Sequence, residues 1–136
     1  MDSNRTKTYQ GTELEDLSNA RNYIKWIMNC LNPFLKGTVL EVGAGVGTFA
    51  KQVEKNKSVN QITLIEPDKN MASKLDKIFD NQKILVMNTF AKTISKTHEN
   101  KFDCIYYINC LEHIEYDSDE INTAYKLLKP NGYICI

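Results

Sequence analysis

The stretch Val39-Leu40-Glu41-Val42-Gly43-Ala44-Gly45-Val46-Gly47-Thr48-Phe49-Ala50 constrains this chain more than any other part of it. Apolar residues flank a single acid, and glycine then takes every second position. That is the pattern of a buried strand, a tight turn and the first turn of a helix. Each glycine has its own task in such a bend. Gly43 takes the positive φ of the turn, Gly45 has no side chain to hold a ligand away, and Gly47 lets the helix start close against the strand. A helix beginning there aims its free N–H groups at a bound group. A convenient strand-to-helix loop with no ligand is the plainer alternative, and residues further along must separate the two.

Around this bend the elements alternate. Upstream, Leu14, Leu17, Ala20, Ile24, Ile27, Met28 and Leu31 recur at helical steps from Glu13, and the helix should stop at Asn32-Pro33. Downstream, a helix is expected over 46–57 and a second strand over 61–67. Asp68 then caps a helix with Met71, Leu75, Ile78 and Phe79 on its inner face, and a third strand spans 84–87. Residues 88–100 are polar, with Ile94 anchoring a short helix. An almost wholly apolar fourth strand spans 102–108. A helix then starts near Asp117 or Ser118, where Glu120 can complete a capping box, and a fifth strand opens at Tyr133. Such alternation implies parallel crossovers and an α/β doubly wound sheet, its ligand crevice at the carboxyl ends of the first and fourth strands. At 136 residues the chain reads as one domain, with 1–36 an N-terminal lid and helix and 37–136 the sheet core.

Composition narrows the partners. Lys and Arg together number 17, as do Asp and Glu, so there is no electrostatic footprint for nucleic acid. No apolar run approaches membrane-spanning length and no signal-peptide core follows Met1, which leads us to expect a soluble cytoplasmic protein. Cys30, Cys104, Cys110 and Cys135 lack metal-ligand spacing and read as small reduced core residues, with no metal expected.

Glu66, at the end of the second strand, is placed to accept hydrogen bonds from both hydroxyls of a ribose lying across the strand tips. A glycine bend followed by an acid on the very next strand points to a nucleoside-containing ligand. Nicotinamide dinucleotide folds use G-x-G-x-x-G, whereas here the third glycine comes one position early, at Gly47. Glu41 would repel a pyrophosphate and suits an ammonium group. Alternatively, Glu41 fixes the glycine loop through backbone N–H groups.

Glu41-x-Gly43-x-Gly45-x-Gly47, Leu64-Ile65-Glu66-Pro67-Asp68, Asn109-Cys110-Leu111-Glu112-His113-Ile114 and Leu127-Leu128-Lys129-Pro130-Asn131-Gly132, in that order, resemble the class I S-adenosylmethionine-dependent methyltransferases. The resemblance covers roughly residues 38 to 136, and Tyr9-Gln10-Gly11-Thr12-Glu13-Leu14 and Ala20-Arg21-Asn22-Tyr23 are similar to the leader of bacterial small-molecule members. It implies a Rossmann-like, mostly parallel sheet of order 3-2-1-4-5, S-adenosylmethionine as cofactor and a small-molecule methyl acceptor. Gly43, Ala44 and Gly45 would line the methionine part and Glu41 would lie near its amino group. Glu66 would bind the ribose, Pro67 and Met71 would pack near the adenine, and Asn109 and Leu111 would approach the transferred methyl. Thr89 and Phe90 would border the adenine edge, where many members carry an acid.

Methyl transfer from a sulfonium needs alignment above all, and proximity supplies about 7–11 kcal/mol of barrier lowering. A general base matters only for a protonated acceptor, and His113 is the candidate; a loop-packing or helix-capping histidine is the plainer reading. Tyr9 is a candidate lid residue. Members of the family continue past the fifth strand, so the resemblance implies a chain lacking strands six and seven. Its exposed fifth-strand edge invites a homo-oligomer. The rival readings are a nicotinamide-dependent oxidoreductase and a non-catalytic cofactor-binding or interaction module.

Overall fold

The structure, a computed structural model, describes Asp16 and residues 19–136. The expectations for Tyr9, Gly11, Leu14 and Leu17 lie outside the described residues. Helix α1 (Arg21–Leu31) buries Ile24, Met28 and Leu31, and at Asn32–Phe34 it tightens to a 3-10 turn, Pro33 preventing its continuation. There follow β1 (Gly37–Val42), α2 (Ala50–Val53), β2 (Val59–Ile65), α3 (Lys69–Ile78), β3 (Ile84–Met87), α4 (Ala91–Ile94), β4 (Phe102–Tyr107), α5 (Asp117–Leu127) and β5 (Leu128–Cys135). None of the helices described is long and apolar enough to cross a membrane.

The described strands form a sheet of order β3-β2-β1-β4-β5 in which every pairing is parallel. Alternation along each strand divides its side chains between two cores. Val39, Ile62, Leu64, Cys104 and Tyr106 pack on one face with Ile24 and Met28 of α1, Ala50 and Val53 of α2 and Leu75 of α3. Leu40, Val42, Ile65, Ile105 and Tyr107 pack on the other with Ala91, Ile94, Ala124 and Leu127. Helices on both faces make the sheet doubly wound, and the winding reverses between β1 and β4. Tyr106 and Tyr107 are both core residues, as their apolar surroundings predict.

The elements depart from expectation where distant residues intervene. The helix expected over 46–57 shrinks to Ala50–Val53, because Gly47 has φ +79° and cannot be helical. The Cβ that any other residue would place at Gly47 falls 2.8 Å from Phe79 and 2.9 Å from Leu75, so this glycine admits helix α3, beyond letting its own helix near the strand. Asp68 caps α3 as expected, accepting from the N–H groups of Asn70 (2.8 Å) and Met71 (2.9 Å). Ile78, expected to face inward, is exposed. No capping box forms on α5; Glu120 instead accepts from the Tyr107 hydroxyl at 2.9 Å. β5 begins at Leu128, well before Tyr133, and its pairing slips past a bend at Asn131 (φ +65°). Of the cysteines expected in the core only Cys104 is fully buried, and all are free.

Candidate functional site

Val42 pairs with Ile65 on one side and Tyr107 on the other, so the tips of β2, β1 and β4 meet where the glycine bend begins. Gly43 (φ +74°) and Gly45 (φ +56°) turn the chain, and Cys110 packs so closely on Gly43 that a Cβ there has no room. The bend spends its N–H groups within the protein. Those of Gly43 and Ala44 go to the Ile65 carbonyl (2.9 and 3.1 Å), that of Gly45 to Glu66 Oε2 (2.8 Å) and that of Gly47 to the Ala44 carbonyl (2.9 Å). Helix α2 starts only at Ala50 and is one turn long. The expected helix N-terminus aimed at a ligand is therefore absent, and what remains is a bend tied to the end of β2.

Glu66 holds that tie. Its side chain is buried, Oε2 on the Gly45 N–H and Oε1 on the Asp68 N–H at 2.9 Å. Burial raises its carboxyl above the ordinary range, more than the two N–H bonds pull it down. Each oxygen keeps a second lone pair. The Asn88 side-chain amide, arriving from the end of β3, donates to the carbonyls of Glu66 (2.9 Å) and Pro67 (3.0 Å) and fixes the strand tip from behind.

Glu41, on β1, is buried without any backbone partner for its side chain, so the alternative that it fixes the loop through N–H groups is overturned; Glu66 has that task. Glu41 Oε2 accepts from the Tyr106 hydroxyl at 2.8 Å instead. Burial pushes the Glu41 carboxyl up to about 8, the Tyr106 bond opposing and the Glu66 charge adding to the rise. The Tyr106 hydroxyl and the Glu41 carboxyl thus bridge β4 and β1.

On the β4 side, Asn109 adopts φ +51° at the strand tip, and its side-chain oxygen accepts from the Tyr23 hydroxyl at 3.1 Å. Burial, and then the charges of Glu120, Glu66, Glu112 and Glu41, push the Cys110 thiol up to about 12, which disfavours its thiolate. Leu111 and His113 lie in a 3-10 turn (Leu111–His113), Leu111 half-buried and His113 exposed. Pro67 and Met71 are half-buried at the start of α3, while beyond β3 Thr89 is half-buried and Phe90 exposed.

A cavity of about 430 Å³ lies between α1 and the strands β4 and β5, and one of about 350 Å³ lies between Leu111, the start of α5 and Ile136. His113 lines neither. The structure thus gathers Glu41, Gly43, Ala44, Gly45 and Glu66 at the tips of β1 and β2, with Asn109 across from them. Sequence reasoning missed Asn88 and the Tyr106 hydroxyl, and had Tyr23 only as part of the leader resemblance. Tyr106 had a signal, since it pairs directly with Glu41 once the two strands are set in register.

Compared with protein families, residues 14–136 match the methyltransferase domain. The chain belongs to that family. Its sheet and flanking helices are the class I methyltransferase fold. An S-adenosyl-L-methionine-dependent methyltransferase candidate from Methanococcus maripaludis superimposes with a TM-score of 0.75 over 96% of this chain and 66% of its own, at 20% identity. Among curated proteins, the ribosomal RNA small subunit methyltransferase A of Blochmanniella pennsylvanica is 32% identical over 68 residues, 50% of this chain. The ubiquinone biosynthesis O-methyltransferase of Hydrogenovibrio crunogenus is 29% identical over 98 residues, 71% of this chain. This methyltransferase domain spans 25% and 40% of the lengths of those two relatives.

Proposed function

We propose that this chain binds S-adenosylmethionine at the tips of β1 and β2 and that its methyl group passes to a small-molecule acceptor. The observation that carries the reading is the buried Glu66 carboxylate, which spends one lone pair on the bend at Gly45 and one on the Asp68 N–H and keeps a further lone pair on each oxygen for a ribose diol. The other groups at the strand tips suit the same ligand. Glu41 is a buried carboxyl with an ammonium's complement of charge once ionised, and a cation beside it favours that form. Gly43, Ala44 and Gly45 would line the methionine part by backbone, and Pro67, Met71, Thr89 and Phe90 would border the adenine. Thr89 offers a hydroxyl where an acid would take the adenine amino group, so that contact is the weaker one.

When bound, the cofactor supplies an electrophilic methyl on a positively charged sulfur. The chain's own part is alignment: Glu66 fixes the sugar, Glu41 the amino end, and Asn109 and Leu111 approach the methyl. His113, exposed on the turn after β4, is the proposed base for an acceptor that arrives protonated. Free cysteines without metal spacing support a cytoplasmic setting as part of the same proposal.

The nicotinamide reading loses ground on the same geometry, since the bend's N–H groups at Gly43, Ala44, Gly45 and Gly47 are already committed and cannot cradle a pyrophosphate. Calorimetric titration with S-adenosylmethionine, S-adenosylhomocysteine and reduced nicotinamide dinucleotide separates the two. Binding of the first two and not the third is expected; the reverse overturns the proposal. Tight S-adenosylhomocysteine binding without turnover on any acceptor would favour the non-catalytic module.

A further inference from the structure

We propose that the end of the sheet opposite the crevice is a docking face for single-stranded nucleic acid, built from Lys36, Lys57, Lys101 and Lys126. This face lies away from the strand tips and is independent of the cofactor reading. Basic and acidic residues balance over the whole chain, but the fold does not spread them evenly. Acids gather at the carboxyl ends of the strands, with Glu41, Glu66 and Asp68 beside the bend and Glu112, Asp117 and Glu120 after β4. At the amino ends a lysine stands within two residues before each of β1 (Lys36), β2 (Lys57), β3 (Lys83) and β4 (Lys101). Lys129 is the second residue of β5.

Register brings these lysines level. The Gly37 N–H donates to the Ser58 carbonyl at 2.8 Å, which sets Lys36 beside Lys57. Val39 pairs with Cys104, so Lys36 and Lys101 precede the paired ends of β1 and β4 by the same step. The Asn100 N–H donates to the Lys126 carbonyl at 3.0 Å and brings the end of α5 alongside. Neighbouring strands lie about 4.8 Å apart, so the backbones of Lys57, Lys36 and Lys101 form a row about 10 Å long. Lys129 is spent on Asp103 at 2.8 Å and Lys83 on the carbonyls of Glu54 and Asn56. Lys36, Lys57, Lys101 and Lys126 are exposed and make no ion pair among the described residues. A helix C-terminus attracts a cation and accounts for Lys126, but the other three follow loops and lead into strands.

The acids at this end do not cancel them. Asp103 belongs to Lys129, Glu54 accepts from the Asn81 amide at 2.9 Å, and Asp76 and Asp80 lie by Lys74 and Lys77 at the end of α3, leaving Glu99. Like charges held together repel, and a polyanion relieves that repulsion. Exposed rings stand beside the lysines. Lys36 Nζ lies 5.6 Å from the centre of the Tyr133 ring, which meets Phe34 at 5.1 Å, and Tyr125, 78% exposed, precedes Lys126. Phosphates along a row of cations, with bases stacked on neighbouring rings, is how a single strand is held without reading its sequence. A duplex keeps its bases inside and leaves such rings nothing to stack on.

The test is fluorescence anisotropy of labelled oligouridylate and oligothymidylate, each of about 16 nucleotides, with the full chain. Both are expected to bind, and alike, because phosphate contacts and stacking do not read the 2′-hydroxyl. Four phosphate contacts give a salt slope of about −3, so affinity should fall about fiftyfold between about 50 and 200 mM salt. Lys57→Gln with Lys101→Gln should weaken binding more than about tenfold at the lower salt and leave S-adenosylhomocysteine affinity unchanged. Lys69→Gln with Lys92→Gln removes the same charge from exposed positions at the other end and should change binding less than about twofold. Tyr125→Ala should weaken it at least about fivefold. The proposal is overturned if neither oligonucleotide binds, if the two double variants weaken binding equally, or if a duplex of the same length binds as tightly as the single strands. Vesicles of equal parts phosphatidylserine and phosphatidylcholine supply the remaining arm. Their capture of the chain, lost in the Lys57 and Lys101 variant while oligonucleotide binding is unmoved, overturns it in favour of a membrane surface.

Discussion

At the tips of β1 and β2, the bend is held by backbone bonds: Glu66 holds Gly45 and Asp68, and the amides of Gly43 and Ala44 close on Ile65. At the tips of β4 and β5 the surroundings are apolar, with Tyr133, Ile134 and Ile136 exposed and a side-chain bond, Tyr23 to Asn109, across the opening. A site that must recognise one fixed ligand benefits from groups locked by the backbone, because little order is left to impose on binding. A surface built from rings and aliphatic side chains, tied by one replaceable hydrogen bond, is suited to a guest selected by shape. Glu41 and Tyr106 join the two flanks.

The sharpest contrast comes from cutting one bond system on each flank. Glu66→Ala leaves two backbone N–H groups without their acceptor, which at about 1–3 kcal/mol each should cost about 2–6 kcal/mol by urea unfolding and abolish measurable S-adenosylhomocysteine binding. Asn109→Ala, on the other flank, loses one exposed hydrogen bond and asparagine's tolerance of φ +51°, and should cost no more than about 1–2 kcal/mol. Equal losses from the two would erase the contrast.

Next comes the bridge. Burial first, opposed by the Tyr106 bond and aided by the Glu66 charge, raises the Glu41 carboxyl from 4.5 to about 8, so the folded chain holds a proton that the unfolded chain sheds. Glu41 therefore contributes stability in full below about 4.5 and loses it as pH rises through about 8. The loss is on the order of several kcal/mol. Urea midpoints measured across that range should fall for the native chain and run flat, as far as this group is concerned, for Glu41→Gln. A parallel slope in both would place the titrating group elsewhere.

Gly43→Ala combines a left-handed backbone, about 1–2 kcal/mol for a residue with a Cβ, with crowding against Cys110. Adding Cys110→Gly should recover the crowding part and leave the backbone part, as a double-mutant cycle read by thermal melting can show. The smallest effect belongs to the Lys129–Asp103 pair at 2.8 Å, which ties β5 to β4. Lys129 is 41% exposed, so Lys129→Ala should cost less than about 1 kcal/mol, again by urea unfolding.

Much of this architecture is legible in the residues. β3 has the expected bounds, β1, β2 and β4 lie within a residue or two of theirs, and Asp68 caps where capping chemistry says it should. What escaped depends on partners far away in the chain. Gly47 is shaped by Phe79 and Leu75, which pattern alone does not bring near it. Glu120 is drawn from a local cap to Tyr107 on the facing strand. Which of the two acids holds the bend was decided by strand register, since Glu66 and not Glu41 ends beside Gly45. The cavity between α1 and the strands β4 and β5 was invisible because its walls read as ordinary core, and only the arrangement of the folded elements shows that they stand apart.

Glu66 is assigned the bend and a ribose diol at once, and backbone amide NMR reads both. Adenosine titrated into the labelled chain should shift the Gly45 and Asp68 amide resonances progressively to saturation. 2′,3′-Dideoxyadenosine, which lacks the hydroxyls, should shift them little at the same concentrations. Equal shifts from the two nucleosides, or adenosine shifts confined to residues away from the bend, would contradict it.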